Sequence, residues 1–203
     1  MKRVALASML ILAPITEANA HHPGERIDEV MTEREPAFEA TDLRRIPRMV
    51  LTVANGAPVQ LHDMEEKIVV LSFAPEDCGA PCAAQQALLR QVQEGVNITP
   101  MRDMVVLLTV DAAPAPDPEW DDINWQAVDA KGGATEASAS FAALSARESD
   151  APMIHVIARG GRHAAIFHGT EFGPVNLILY VNELTRMPMP EPGLLDRVLG
   201  IFN

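Results

Sequence analysis

Two continuous apolar runs, residues 68–73 (Ile-Val-Val-Leu-Ser-Phe) and 104–110 (Met-Val-Val-Leu-Leu-Thr-Val), constrain this chain more than any other feature. Neither run alternates apolar with polar residues, so each strand they form must be covered on both faces. Between them Ala84, Leu88, Leu89 and Val92 recur at helical spacing, and Gly95 stands where such a helix would stop. A strand, a helix and a second buried strand make a parallel βαβ unit.

The only two cysteines of the chain, Cys78 and Cys82, fall at the junction of the first strand and that helix. Backbone N–H groups at a helix N-terminus, together with the helix dipole, stabilise a thiolate. Residues four apart on a first turn share a face. The pair can therefore close a disulfide or hold one soft metal ion. A structural staple is the plainer alternative, but so short a loop removes little chain entropy.

Residues 1–20 have the pattern of an export signal. Lys2 and Arg3 precede an apolar stretch, and Ala18-Asn19-Ala20 is a small-x-small cleavage site. The stretch is too short to span a bilayer comfortably, so membrane attachment is expected only through an uncleaved signal. Export to an oxidising compartment favours a disulfide, a redox pair or a metal site over an idle thiol pair. The net charge of −12 argues against nucleic acid and anionic membrane surfaces as partners.

Residues 21–48 are polar and proline-punctuated, and are read as an extended arm with a short helix near 27–31. Residues 49–187 form the body. It opens with a hairpin, strands at 49–53 and 59–61 around Asn55-Gly56. After the βαβ unit come a proline-rich acidic loop (112–121), a helix near 136–146, and strands 153–158 and 163–168 around Gly160-Gly161. Pro174 opens an amphipathic helix. Residues 188–203 are a tail with one short helix. The order is that of an α/β, thioredoxin-like fold with an added N-terminal β-hairpin.

In this register Met153 faces His168 and His155 faces Ile166, so Met153, His155 and His168 share one face. His155 is then either a hydrogen-bonded core histidine or a ligand. His21 and His22 would form a mature His-His terminus. Pro152, at the start of a strand, is either an ordinary strand-start proline or a cis-proline facing the cysteines.

Several segments, in order, resemble the Sco/SenC family of exported thioredoxin-like copper proteins. They include His21-His-Pro-Gly-Glu-Arg26, Asn55-Gly56, Lys67-Ile-Val-Val70, the Cys-x-x-x-Cys of Cys78 and Cys82, Thr109-Val-Asp111, Asn124-Trp125, His155-Val-Ile157 and Phe167-His-Gly169. The resemblance implies copper, as Cu(I), on Cys78 and Cys82 and a role in assembling the copper centre of cytochrome oxidase. The partner would be the oxidase copper-site subunit or another periplasmic thiol or copper protein. The family's third ligand, a histidine, aligns with Asp150, a hard oxygen donor poorly suited to Cu(I). His155 is the nearest imidazole that could replace it. By the logic of such turns Cys78 is the exposed thiolate and Cys82 its resolving partner. Two alternatives remain: a copper-independent thiol–disulfide oxidoreductase, and an assembly scaffold with an inert disulfide.

Overall fold

A computed structural model describes residues 26–114 and 120–189. The expected signal, the His21-His22 terminus, the middle of the proline-rich loop and the C-terminal tail helix lie outside the described residues. In chain order the elements are α1 (Ile27–Arg34), β1 (Phe38–Arg45), β2 (Leu51–Val53), β3 (Pro58–Val59), β4 (Ile68–Ala74), α2 (Ala80–Asn97), β5 (Val105–Asp111), β6 (Trp125–Ala130), α3 (Gly133–Ala142), β7 (Met153–Ala158), β8 (Arg162–His168) and α4 (Pro174–Arg186). The strands form one sheet in the order β1-β8-β7-β4-β5-β6-β2-β3.

β4 and β5 pair in parallel, Ile68 with Val105 through Ala74 with Asp111, with α2 as the crossover. Alternation along β4 divides its side chains between two cores. Ile68 and Val70 pack with Leu89, Val92 and Val96 of α2 and with Leu177 and Val181 of α4. Val69, Leu71 and Phe73 pack on the other face with Ala134, Ala137 and Phe141 of α3. This is why both runs are apolar at every position: each face of the central strands carries a helix. The expected hairpin exists as β2 and β3, which extend the sheet from β6. No helix of the described residues is long and apolar enough to cross a membrane.

Two sequence expectations change, and one strand was not expected. Residues 21–48 are not simply an arm: β1 is the edge strand of the main sheet, with Phe38 opposite Phe167. An edge strand exposes much of its surface, so its sequence (Phe-Glu-Ala-Thr-Asp-Leu-Arg-Arg) lacks an apolar run; Asp42 and Leu43, at positive φ, interrupt its register. Gly95 does not end α2, which runs to Asn97. It lies against α4, since a Cβ on it would collide with the Ile178 side chain. β6 was not expected, because only Trp125, Val128 and Ala130 of its six residues are buried.

Candidate functional site

β4 delivers the chain to a tight turn in which the Cys78 amide donates to the Pro75 carbonyl (3.0 Å). Gly79 follows at φ 57°, a conformation L side chains rarely adopt, and α2 begins at the next residue with Pro81 in its first turn. Cys78 and Cys82 are joined in a disulfide, with their Cα atoms 5.7 Å apart. Cys82 is buried and Cys78 half-buried. The Cys82 Sγ lies 3.3 Å from the Phe73 carbonyl oxygen, an acceptor for its thiol when the bond is reduced.

Gln85 and Gln86 anchor the cysteine end of this helix. Gln86 Nε2 donates to Ser72 Oγ (3.1 Å) and Gln86 Oε1 accepts from Thr109 Oγ1 (3.1 Å), tying α2 to β4 and β5. Trp125 Nε1 closes this buried network by donating to Thr109 Oγ1 (3.0 Å). Gln85 Nε2 donates to the Gly169 carbonyl (3.0 Å), fixing the exit of β8 beside the first turns of α2.

A cleft of about 580 Å³ opens on the disulfide, and Cys78, Cys82, Asp150, Pro152, Met153 and His155 all line it. The fold thus gathers the cysteine pair, Asp150, Pro152, Met153 and His155 around one cavity, whereas His168 does not line it. Asp150 is exposed and His155 is 1 % exposed. The Ala151–Pro152 peptide is trans, as are all described peptide bonds, so the cis alternative is corrected. The trans form is the ordinary preference. Pro152 sits at the strand start, where its missing N–H costs no ladder bond and its carbonyl accepts from Gly169 N (2.8 Å).

His155 stands between Phe73 and Phe141, edge-on to both, with ring centroids 5.7 and 5.1 Å away. Its Nδ1 is 2.9 Å from Nε2 of His163. His163 Nδ1 is 2.8 Å from Thr41 Oγ1, which is also 2.8 Å from the His163 carbonyl oxygen. These contacts determine the tautomers. A carbonyl has no proton, so the Thr41 hydroxyl must donate to it. Thr41 Oγ1 then accepts from His163 Nδ1–H, and His163 Nε2 is left as an acceptor. His155 Nδ1–H donates to it, and the His155 Nε2 keeps its lone pair. Burial is the main cause that holds both imidazoles neutral. It pushes the His163 pKa down to about 4 and that of His155 well below the usual histidine value, with the charge of His163 adding to the effect on His155. We expect long-range ¹H–¹⁵N correlation spectra at neutral pH to show the Nδ1–H form for both rings. An Nε2–H signal at His155 would overturn the assignment.

Sequence reasoning missed His163 and Thr41. Simple alternation places His163 opposite Ala158, on the far face from His155. A register shift between Val156 and Ile157 puts it opposite Ile157 instead, on the His155 face. No residue type marks that shift in the sequence. His168 shares the face, as expected, but is engaged elsewhere: its Nε2 is 2.7 Å from Glu39 Oε2.

With the disulfide closed, no group of three or more His, Cys, Asp or Glu side chains among the described residues is arranged to hold a metal ion. The cleft nevertheless carries donors suited to a soft cation, the two cysteine sulfurs and one neutral imidazole nitrogen, beside the harder carboxylates of Asp77 and Asp150.

No protein-family model and no curated protein matches the chain. Solved structures do. BsSco, a member of the Sco family of cytochrome c oxidase assembly proteins in which a disulfide switch was identified, is 13 % identical over 72 % of this chain and 96 % of its own, with a TM-score of 0.57. Yeast Sco1 with copper bound is 10 % identical over 72 % of this chain and 95 % of its own (TM-score 0.55). A SCO1/SenC family lipoprotein from Bacillus anthracis is 14 % identical over 70 % and 96 % (TM-score 0.54). The α/β architecture read from the sequence is therefore the thioredoxin-like fold of the Sco proteins.

Proposed function

We propose that the protein is an exported Sco-like factor that handles copper and thiol redox state for assembly of the cytochrome c oxidase copper centre. Its client would be the oxidase copper-site subunit or another periplasmic thiol or copper protein. Cys78 and Cys82 serve as the redox pair and, when reduced, as two thiolate ligands for Cu(I). His155, rather than Asp150, completes the set. The observation that carries this reading is the presence in one cleft of the cysteine pair and a buried imidazole whose Nε2 is held unprotonated. A neutral imidazole suits a soft cation, whereas a carboxylate adds charge attraction but little covalency.

Competition of the reduced protein against a Cu(I) chelator tests this. Wild type is expected to hold one Cu(I), and the Cys78→Ser, Cys82→Ser variant none. His155→Ala is expected to weaken binding about 10- to 100-fold, the scale of losing one metal ligand or its support. Asp150→Ala should change it far less, and Asp150→His should tighten it. No copper on the reduced wild type would defeat the copper reading. A copper-independent thiol–disulfide oxidoreductase would then take its place, a reading favoured by the half-buried Cys78 beside the buried Cys82. A reduction potential below about −300 mV would instead mark an inert disulfide in a scaffold.

A further inference from the structure

We propose that the cysteine cleft selects positively charged thiol and disulfide partners, and that Glu76, Asp77, Asp129 and Asp150 set this preference. The inference rests on the thiol-exchange part of the reading above. The 580 Å³ cleft opening on the disulfide adjoins a second cavity of about 310 Å³, and the two share Asp77 and Thr135 in their linings. Asp77 and Asp150 line the first; Glu76, Asp77 and Asp129 line the second. Among the described residues, no lysine or arginine lines either one. None of the four carboxylates makes an ion pair with a described residue.

The cleft wall adds a polar group of a different kind. His155 is 1 % exposed, lines the cleft, and its Nε2 lone pair has no hydrogen-bond partner among the described residues. It offers an occupant a hydrogen-bond acceptor and no positive charge. The opposing influence is the N-terminus of α2, whose N–H groups stabilise a thiolate at Cys78. That effect is confined to the first helical turn, within reach of the sulfur itself. A partner segment extending beyond its reacting sulfur meets the carboxylates instead. The occupant to which this surface fits is an extended segment carrying a cysteine thiol or disulfide with an ammonium or guanidinium group close to it.

The Cys78 thiolate attacks one sulfur of a partner disulfide RSSR, forming the Cys78–S–S–R bond and releasing RS⁻. Cys82 loses its proton to solvent and attacks the Cys78 sulfur, which closes the Cys78–Cys82 disulfide and releases the second RS⁻. Each RS⁻ takes up a proton. The protein dithiol has given two electrons, and RSSR has become two RSH.

The test measures oxidation of the reduced full-length protein by cystamine (two ammonium groups), 3,3′-dithiodipropionate (two carboxylates) and 2-hydroxyethyl disulfide (neutral). Each rate is divided by that of dithiothreitol with the same reagent, which removes differences in leaving-group reactivity. At 10 mM ionic strength the normalised rate for cystamine should exceed that for dithiodipropionate by about tenfold or more, and the ratio should fall severalfold in 0.5 M NaCl. The Asp77→Asn, Asp150→Asn variant should lower the ratio at least threefold. Asp63→Asn with Asp103→Asn, which removes equal charge at the opposite end of the parallel strands, should keep the wild-type ratio. A normalised ratio near one, or equal losses in both variants, would overturn the proposal while leaving thiol exchange intact. Failure to react with any of the three reagents would overturn the exchange reading and this inference together.

Discussion

Truncation of Phe38 to alanine is expected to destabilise the protein by about 3–5 kcal/mol, the range for deleting a fully buried phenylalanine. Phe38 is 0 % exposed although it lies on an edge strand. Its ring meets Phe167 and Tyr180 edge-on, with centroids 5.4 and 4.9 Å away. The residues around it tie the N-terminal segment to α4. Tyr180 donates its hydroxyl to Asp28 Oδ1 (2.9 Å), and the buried Glu35 accepts from Gly173 N (2.9 Å) and Asn176 Nδ2 (2.7 Å). The cavity left by alanine cannot close, because its walls belong to β1, β8 and α4, each held by its own hydrogen bonds. Urea unfolding of Phe38→Ala beside wild type measures the effect. A loss below about 1 kcal/mol would show that the segment before residue 49 is an appendage.

Acid is expected to weaken the fold through the buried pair His155 and His163, of which His155 lines the cysteine cleft. His163 has a folded-state pKa near 4 against an ordinary value of 6.5. Between these values the unfolded chain binds a proton that the folded chain refuses, so stability rises with pH across this window. The contribution is fully present above pH 6.5 and is lost as pH falls to 4, on the order of 3 kcal/mol in total. His155 is depressed for the same cause, burial, and acts in the same direction. Glu39 extends the loss to lower pH. Burial raises its pKa, but the Ala146 amide, the Ser145 hydroxyl and His168 together outweigh that and lower it, so its contribution disappears as pH falls below the carboxylate range. Urea midpoints at pH 7.5, 6.0, 5.0 and 4.5 should decline steadily, and His163→Gln should flatten the decline. A midpoint unchanged between pH 7.5 and 5.0 would contradict the assignment of a neutral imidazole pair.

How much was legible depended on how each feature is encoded. The β4–α2–β5 unit could be read because full burial on both faces forces a continuous apolar run, which few other structures need. The Gly160-Gly161 hairpin was legible only in part: Met153 does face His168 and His155 does face Ile166, but Ala158 pairs with Arg162, so the turn is not the two-residue one expected and the register shifts between Val156 and Ile157. β1 escaped notice because its main anchor is one aromatic residue, Phe38, whose partners lie in β8 and α4. Gly95 was misread because a glycine chosen for close packing and one chosen to end a helix are the same residue in a sequence.

The cysteine site divides along the same line. The sequence by itself determined that Cys78 and Cys82 start a helix after a buried strand, since a strand run, a turn and a helical repeat are local patterns. It also determined that the chain is acidic, though not where the acid lies. Only the tertiary structure decided that Asp77 and Asp150 line one cleft with the disulfide, because they come from segments more than seventy residues apart. It alone decided that His155 presents a bare ring nitrogen. That outcome depends on one extra residue in β8, which turns His163 to the His155 face, and on Thr41, more than a hundred residues away, whose single hydroxyl proton settles the position of every other proton in the chain of bonds.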